Sequence, residues 1–359
     1  LMSLVDRLES TGERSFAVVG LAKNCGKTTV VNHLIGEWGR RGVRLGLTSI
    51  GRDGEPVDLV TRLPKPRIRV EPGTLAVTAE ASLADSAAPS RIVRRMGIPS
   101  ALGELLLVET EGAGLIELSG PSTMDQAREV ISLLRESGAE RVVLDGALDR
   151  LSCGAPSVCG AAVLSCGAVL GSSPETIAEK AAHQVKLFRL PVLVGEGAEV
   201  VRRVAASRGR LAAAIDADGN VTPLDGSALT CRGLADALPE GCRWLWAGGG
   251  ITDSIAGALL KRSGVPDIVA GDATRVFLSP MTLDRLRMAG ARVWVLAPVR
   301  LAAIATNPVR PAGAPLDARL LLDCVARAVP AAAVYDVVAG LASECGLIDG
   351  CEKCARLAS

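Results

Sequence analysis

The sequence predicts an α/β protein: a mostly parallel sheet wrapped by helices, followed by a second, separate α/β domain. Three observations carry that expectation. The 359-residue chain is 48% hydrophobic and 22% charged, enough to build two cores and far from the composition of a disordered chain. Short apolar runs alternate with longer helix-like stretches, the pattern of parallel strands joined by crossover helices. A glycine-rich turn stands between the first strand and the first long helix, where open sheets hold ligands.

The elements follow in order. Phe16-Ala17-Val18-Val19 reads as a short buried strand, and a helix is expected over 27–41 after the turn. Residues 43–50 read as a second strand, with Gly51-Arg52-Asp53-Gly54-Glu55 as the loop at its end. Further strands are expected at 68–70, 74–78 and 105–109, then a turn at Glu111-Gly112-Ala113-Gly114 and the run 115–118. Ser122 or Thr123 supplies the hydroxyl cap of a helix reaching 137. Arg141-Val142-Val143-Leu144-Asp145 is a buried strand that ends on an acid, and 161–170 is another apolar strand. Pro174 opens a helix that ends near 190. Residues 191–198 read as the boundary, so the first domain is expected to span 1–195 and the second 196–359. Within the second, strands at 211–215, 221–224, 244–247, 267–270, 293–297 and 334–338 alternate with helices at 227–238, 251–263, 281–289 and 316–329.

The charge balance excludes several classes of partner. Forty Lys and Arg face 39 Asp and Glu, a net charge of +1, so no long-range field draws in nucleic acid or an acidic membrane. Aromatic residues are 2% of the chain, too few for a base-stacking platform. No apolar run reaches the length of a membrane helix, and the start, with Asp6, Arg7 and Glu9, lacks the apolar core of a signal peptide. A cytoplasmic protein is therefore expected, its 10 cysteines reduced thiols.

The sharpest motif is Gly20-Leu21-Ala22-Lys23-Asn24-Cys25-Gly26-Lys27-Thr28, followed by Thr29. It fits G-x-x-x-x-G-K-[ST] at every fixed position, between a strand and a helix as the pattern requires. Backbone N–H groups and a helix N-terminus can surround phosphate oxygens there, and the glycines permit an approach that a Cβ would obstruct. Lys27 is expected to reach the β- and γ-phosphates and Thr28 to place its hydroxyl on Mg²⁺. Lys23 reads as a solvated loop lysine and Cys25 as a small residue that fits the loop. The first domain is thus expected to be a P-loop NTPase domain. Carboxylates to hold the metal are sought at strand ends: Asp145, closing its hydrophobic strand before Gly146, and Asp53, in the loop after the second strand. Glu55 and Asp58 are poorer alternatives, and Glu109 and Glu111 read as hairpin residues. No N-K-x-D or T-K-x-D segment follows the loop, which favours ATP over GTP.

Other constellations read as structural. Cys345, Cys351 and Cys354 resemble half a zinc site, short of the four ligands a structural zinc needs. Asp216, Asp218 and Asn220 imitate a calcium loop, but Val221 and Ser227 replace its glycine and glutamate. Gly248-Gly249-Gly250 could cradle a second anion but reads as a turn, and Trp244, Trp246 and Trp294 as core. His33 and His183 read as helix-packing residues.

One longer set of segments carries a family resemblance. It comprises Gly26-Lys27-Thr28-Thr29, Gly46-Leu47-Thr48-Ser49-Ile50-Gly51-Arg52-Asp53-Gly54-Glu55, Pro64-Lys65-Pro66-Arg67-Ile68, Pro72-Gly73-Thr74-Leu75, Leu118-Ser119-Gly120-Pro121-Ser122 and Asp145-Gly146-Ala147. Together these resemble the nucleotide-binding subunit of the lysine 5,6-aminomutase reactivase. More broadly, the plan is similar to phosphate-loop enzymes of the dethiobiotin synthetase and molybdopterin-guanine dinucleotide type. The resemblance covers residues 15–190, and no sharp motif extends it beyond. It implies a chaperone that uses ATP and Mg²⁺ to release damaged cobalamin from an adenosylcobalamin- and pyridoxal-phosphate-dependent aminomutase. A second ATPase subunit related to mismatch-repair proteins would act with it, and a homo-oligomer fits the same reading. Two rivals stand beside it. One is a small-molecule ATP-dependent ligase or kinase, its acceptor between Lys27 and Glu111; the other is a binding module whose nucleotide is structural.

Overall fold

The computed structural model describes residues 2–50, 68–146, 151–226 and 233–343. Asp53, Glu55, Asp58, most of the 51–68 resemblance segments, and Cys345, Cys351 and Cys354 lie outside the described residues. The chain divides into two compact units, one drawn from its two ends and the other from Val185–Val299.

In the first unit, α1 (Leu4–Glu9) starts at a capping box, with Ser3 accepting from the Asp6 amide and Asp6 accepting in return. Then come β1 (Ser15–Gly20), α2 (Lys27–Arg40), β2 (Leu45–Ser49), β3 (Ile68–Val70), β4 (Leu75–Ala79) and α3 (Glu80–Ala84). The hairpin β5 (Ser90–Ser100) and β6 (Gly103–Thr110) follows, then β7 (Gly114–Ile116), α4 (Met124–Glu136), β8 (Arg141–Asp145), β9 (Ala161–Gly167) and α5 (Pro174–Phe188), whose last turn belongs to the second unit. Helix α2 exists because its apolar residues share one side. Val30, Val31, Leu34, Ile35 and Trp38 form one cluster with Phe16 and Val18 of β1, Leu47 of β2, Val143 of β8 and Val163 of β9. Phe16 and Trp38 sit with ring centroids 5.5 Å apart. Each fully buried side chain of this size contributes roughly 1.5–3 kcal/mol, which outweighs the cost of Gly36 and Gly39 within the helix.

The second unit contains α6 (Glu196–Arg208), β10 (Ala213–Asp216), β11 (Val221–Pro223), α7 (Leu234–Ala237), β12 (Cys242–Trp246), β13 (Ile251–Thr252), α8 (Asp253–Leu259), β14 (Asp267–Asp272), β15 (Val276–Phe277), α9 (Pro280–Met288) and β16 (Val293–Ala297). Its five-stranded sheet has the order β11-β10-β12-β14-β16, with β12, β14 and β16 parallel. Trp246 and Val269 meet Ala198, Val201 and Val204 of α6 in its core.

The chain then returns to the first unit as β17 (Leu301–Asn307), α10 (Ala318–Ala328), β18 (Val334–Asp336) and β19 (Leu341–Ala342). Among the described residues the sheet there has ten strands, in the order β19-β18-β17-β9-β1-β8-β2-β4-β6-β5. From β18 across to β4 every neighbouring pair is parallel, and only β19, β6 and β5 run against their neighbours. The α/β class with a mostly parallel sheet is as the sequence predicts. The division of the chain differs from the linear 1–195 and 196–359 reading, because β17 pairs with β9 from Ala162 to Gly167. The strands β17, β18 and β19 therefore extend the first sheet, and Val185–Val299 is an insertion in the first unit. The α6 helix and the strands β5 and β17 are elements that the sequence reading passed over.

Candidate functional site

The loop 21–26 leaves β1 and enters α2 at Lys27. Gly26, the residue before the helix, has φ +101, a left-handed conformation that a side chain would strain. A Cβ on it would also lie 2.8 Å from the Cβ of Asn307. At the other end of the loop, a Cβ on Gly20 would overlap the sulfur of Cys25. Cys25 is fully buried and serves as the small filler of the turn. Asn24 is also left-handed, with φ +61, a conformation asparagine tolerates better than most residues. The loop is held from the neighbouring strand: the Leu21 amide donates to the Ser165 carbonyl at 3.2 Å, and Ser165 Oγ donates to the Cys25 carbonyl at 2.7 Å. Lys27 folds back across the loop, its Nζ donating to the Ala22 carbonyl at 3.4 Å. Leu21, Ala22, Lys23, Asn24, Gly26, Lys27 and Thr28 are partly exposed and Thr29 is exposed. The amides of this turn and of the first turn of a 14-residue helix gather positive partial charge at one point.

That point sits where the sheet's connections part. From β1 the chain goes through α2 to β2 on one side; from adjacent β9 it leads eventually to β17 on the other. Such a divergence leaves a crevice outside the carboxyl ends of the strands. Asp145 closes β8, the other neighbour of β1, in register with Val18 and with Ser49 of β2. Its backbone is pinned on both sides: the Ile50 amide donates to its carbonyl at 3.3 Å, and the Gly146 amide donates to the Val18 carbonyl at 3.1 Å. Asp145, a partly exposed residue with its Oδ1 buried, thus sits on the strand beside the loop at the same edge as Lys27 and Thr28.

Other residues lie elsewhere. Glu109 is opposite Leu75, the first residue of β4, so the end of β6 lies at the amino edge, away from the loop. It accepts from Arg44 at 2.9 Å and also pairs with Arg91. Glu111 follows in the exposed turn, so the expectation of an acceptor between Lys27 and Glu111 has no geometric support. Asp216 accepts from the Asp218 and Asn220 amides and the Asn220 side chain, which holds its carboxyl below the ordinary range and makes a closed turn. The Gly248 carbonyl accepts from Arg275 at 2.9 Å, and its Cα is packed against the Gly209 backbone, a turn buttressed by its own unit. His33 is half-buried on α2, and burial lowers its imidazole from 6.5, as for a packing histidine. Burial pushes the Cys166 thiol up, with Cys25 adding to the effect.

Asn307 and Ser165 are the site residues that the sequence reading missed. Asn307 ends β17 against Gly26, its Oδ1 accepting from the Val309 amide at 3.2 Å. The available signal was Thr306-Asn307-Pro308 after an apolar run, in a segment assigned to another domain. Among the described residues no group of three His, Cys, Asp or Glu side chains is arranged to hold a metal. No helix among them is long and apolar enough to cross a membrane. Comparison with protein-family models, with curated proteins and with solved structures returns no match to this chain.

Proposed function

We propose that this chain is a P-loop ATPase subunit that binds ATP and Mg²⁺ at residues 20–29 and uses hydrolysis to reactivate a cobalamin-dependent aminomutase in the cytoplasm. The observation that carries the reading is the fitted loop itself. G-x-x-x-x-G-K-T spans a strand and a helix at the divergence of β1 and β9, with a carboxylate on the next strand. Lys27 would move from Ala22 onto the phosphates, and the amides of the turn would donate to their oxygens. Thr28 and Asp145 offer a hydroxyl and a carboxylate, oxygen donors suited to a hard cation, and Asp53 is the third candidate ligand. When bound, Mg²⁺ would neutralise charge on the β- and γ-phosphate oxygens. Ser165 fastens the loop through the Leu21 amide and the Cys25 carbonyl, and Asn307 sits beside Gly26, so that less order remains to be imposed on binding. The reactivase reading, with its second ATPase subunit, rests on the resemblance at residues 15–190.

The test is ATP hydrolysis by the purified chain, alone and with the lysine 5,6-aminomutase and the second ATPase subunit. Partner-stimulated hydrolysis that falls about 100-fold or more in Asp145→Ala, as loss of a metal-holding carboxylate predicts, supports the reading. Stimulation that survives Asp145→Ala contradicts the magnesium assignment. A rate indifferent to any protein but dependent on a small acceptor favours the ligase or kinase.

A further inference from the structure

The segment after β7 crosses the carboxyl ends of β4 and β2 and is fastened there by side-chain hydroxyls. Thr78, on β4, donates its hydroxyl to the Glu117 carbonyl at 2.7 Å and accepts from the Ser119 amide at 3.0 Å. Ser49, the last residue of β2, donates to the Leu118 carbonyl at 3.2 Å and accepts from the Gly120 amide at 2.9 Å. The Ser119 hydroxyl in turn meets Ser82 of α3 at 2.7 Å. All four hydroxyl residues are buried. Each of the first two hydroxyls thus acts as a strand would, bonding a carbonyl and the amide two residues on. Gly120 is packed so tightly on the Ser49 carbonyl that a Cβ there would overlap it.

We propose that Ser49 and Thr78 are positioning residues, a double hydroxyl clamp that fixes the strap 117–120 beside the phosphate-side carboxylate. The connection to the site is short. Ser49 is in register with Asp145, and the next amide, Ile50, donates to the Asp145 carbonyl. On the other side the strap continues through buried Pro121 to Thr123, whose hydroxyl caps α4 by accepting from the Gln126 amide at 3.2 Å. Strap, strand end and carboxylate therefore form one braced edge. Loosening the clamp lets Gly120 lift from Ser49 and frees the strand end that carries Ile50 against Asp145. Misplacement on the scale of an ångström at a reacting centre costs up to about 100-fold in rate, while the phosphate loop is fastened to Ser165 of β9, across β1 from β2 and the strap. The hydroxyls suit this task because each leaves no buried polar group unsatisfied in a place where another strand cannot reach.

This inference rests on the nucleotide-hydrolysis reading, and the experiment separates the two. Amide hydrogen exchange would be followed by mass spectrometry over peptides covering 117–123 in the full chain, for wild type, Ser49→Ala, Thr78→Val and Thr78→Ser. Steady-state ATP hydrolysis would be measured on the same samples. The clamp predicts exchange faster by about tenfold or more in 117–123 for Ser49→Ala and Thr78→Val, with peptides of α2 unchanged, since two buried hydrogen bonds are lost locally. It predicts a kcat about tenfold lower with KM for ATP within about twofold, and recovery of both exchange and kcat in Thr78→Ser, which keeps the hydroxyl. Should Thr78→Val fail to fold, Ser49→Ala and Thr78→Ser still decide. Unchanged exchange in Ser49→Ala overturns the clamp. Faster exchange with unchanged kcat overturns the positioning role. A wild-type chain that hydrolyses no ATP overturns the ATPase reading, and exchange alone then decides the clamp.

Discussion

At the scale of single residues, the candidate site was legible where chemistry is written contiguously. Gly20, Gly26, Lys27 and Thr28 lie within one nine-residue stretch, and the same stretch forms the strand–loop–helix turn that the pattern requires. Asp145 was legible for a similar reason, as an acid that closes an apolar run. Asn307 and Ser165 were not, because nothing local marks a residue whose role is to touch a loop far away in the chain. Ser49 and Thr78 were hidden differently: a hydroxyl at a strand end is ordinary until the segment it fastens is seen. Gly26 joins the two kinds of information. Its pattern position asked for glycine, and its φ of +101 and the 2.8 Å approach to Asn307 give two physical reasons. Gly26→Ala is therefore expected to cost about 1–3 kcal/mol through backbone strain and overpacking, read as a lowered midpoint in urea unfolding. An unaltered midpoint would mean that the turn relaxes without cost.

At the scale of elements, periodicity and apolar runs found β1, α2, β2, α4, β8 and α5 to within a few residues at most ends, because each buries an uninterrupted apolar face. The strand β17 escaped for a compositional reason. Leu301-Ala302-Ala303-Ile304-Ala305-Thr306-Asn307 has only two β-branched residues, and alanine is a poor strand former in isolation. It is a strand because β9 and β18 flank it and bury it. The consequence is testable. A fragment ending at residue 195 leaves β9 as an unpaired apolar edge, which invites aggregation. A chain in which residues 191–299 are replaced by a flexible linker of about ten residues keeps β17 on β9. The linker chain is expected to unfold in one cooperative step as a monomer, and the 1–195 fragment to aggregate or lack a cooperative transition, as followed by circular dichroism and light scattering. A monomeric, cooperatively folding 1–195 fragment would contradict the shared sheet.

At the scale of the whole molecule, the parallel sheet is an arrangement for bringing distant segments to one edge. Residues from β1, β2, β8, β9 and β17 meet at the carboxyl ends of their strands, although the chain visits the other unit between β9 and β17. The sequence made the α/β class legible, since alternation of strand and helix is a local property. The order of strands was not legible, because it is set by which apolar faces pair, and an insertion of Val185–Val299 is indistinguishable from a following domain when read along a line. Everything in the functional account depends on the loop 20–29 holding a nucleotide. The most direct measurement is a calorimetric titration of ATP, with Mg²⁺ present, into the wild-type chain and into Lys27→Ala. The account predicts saturable binding by the wild type and an affinity at least about 100-fold weaker in Lys27→Ala, equivalent to about 2.7 kcal/mol or more. Equal binding by the two proteins, or none by the wild type, would contradict it.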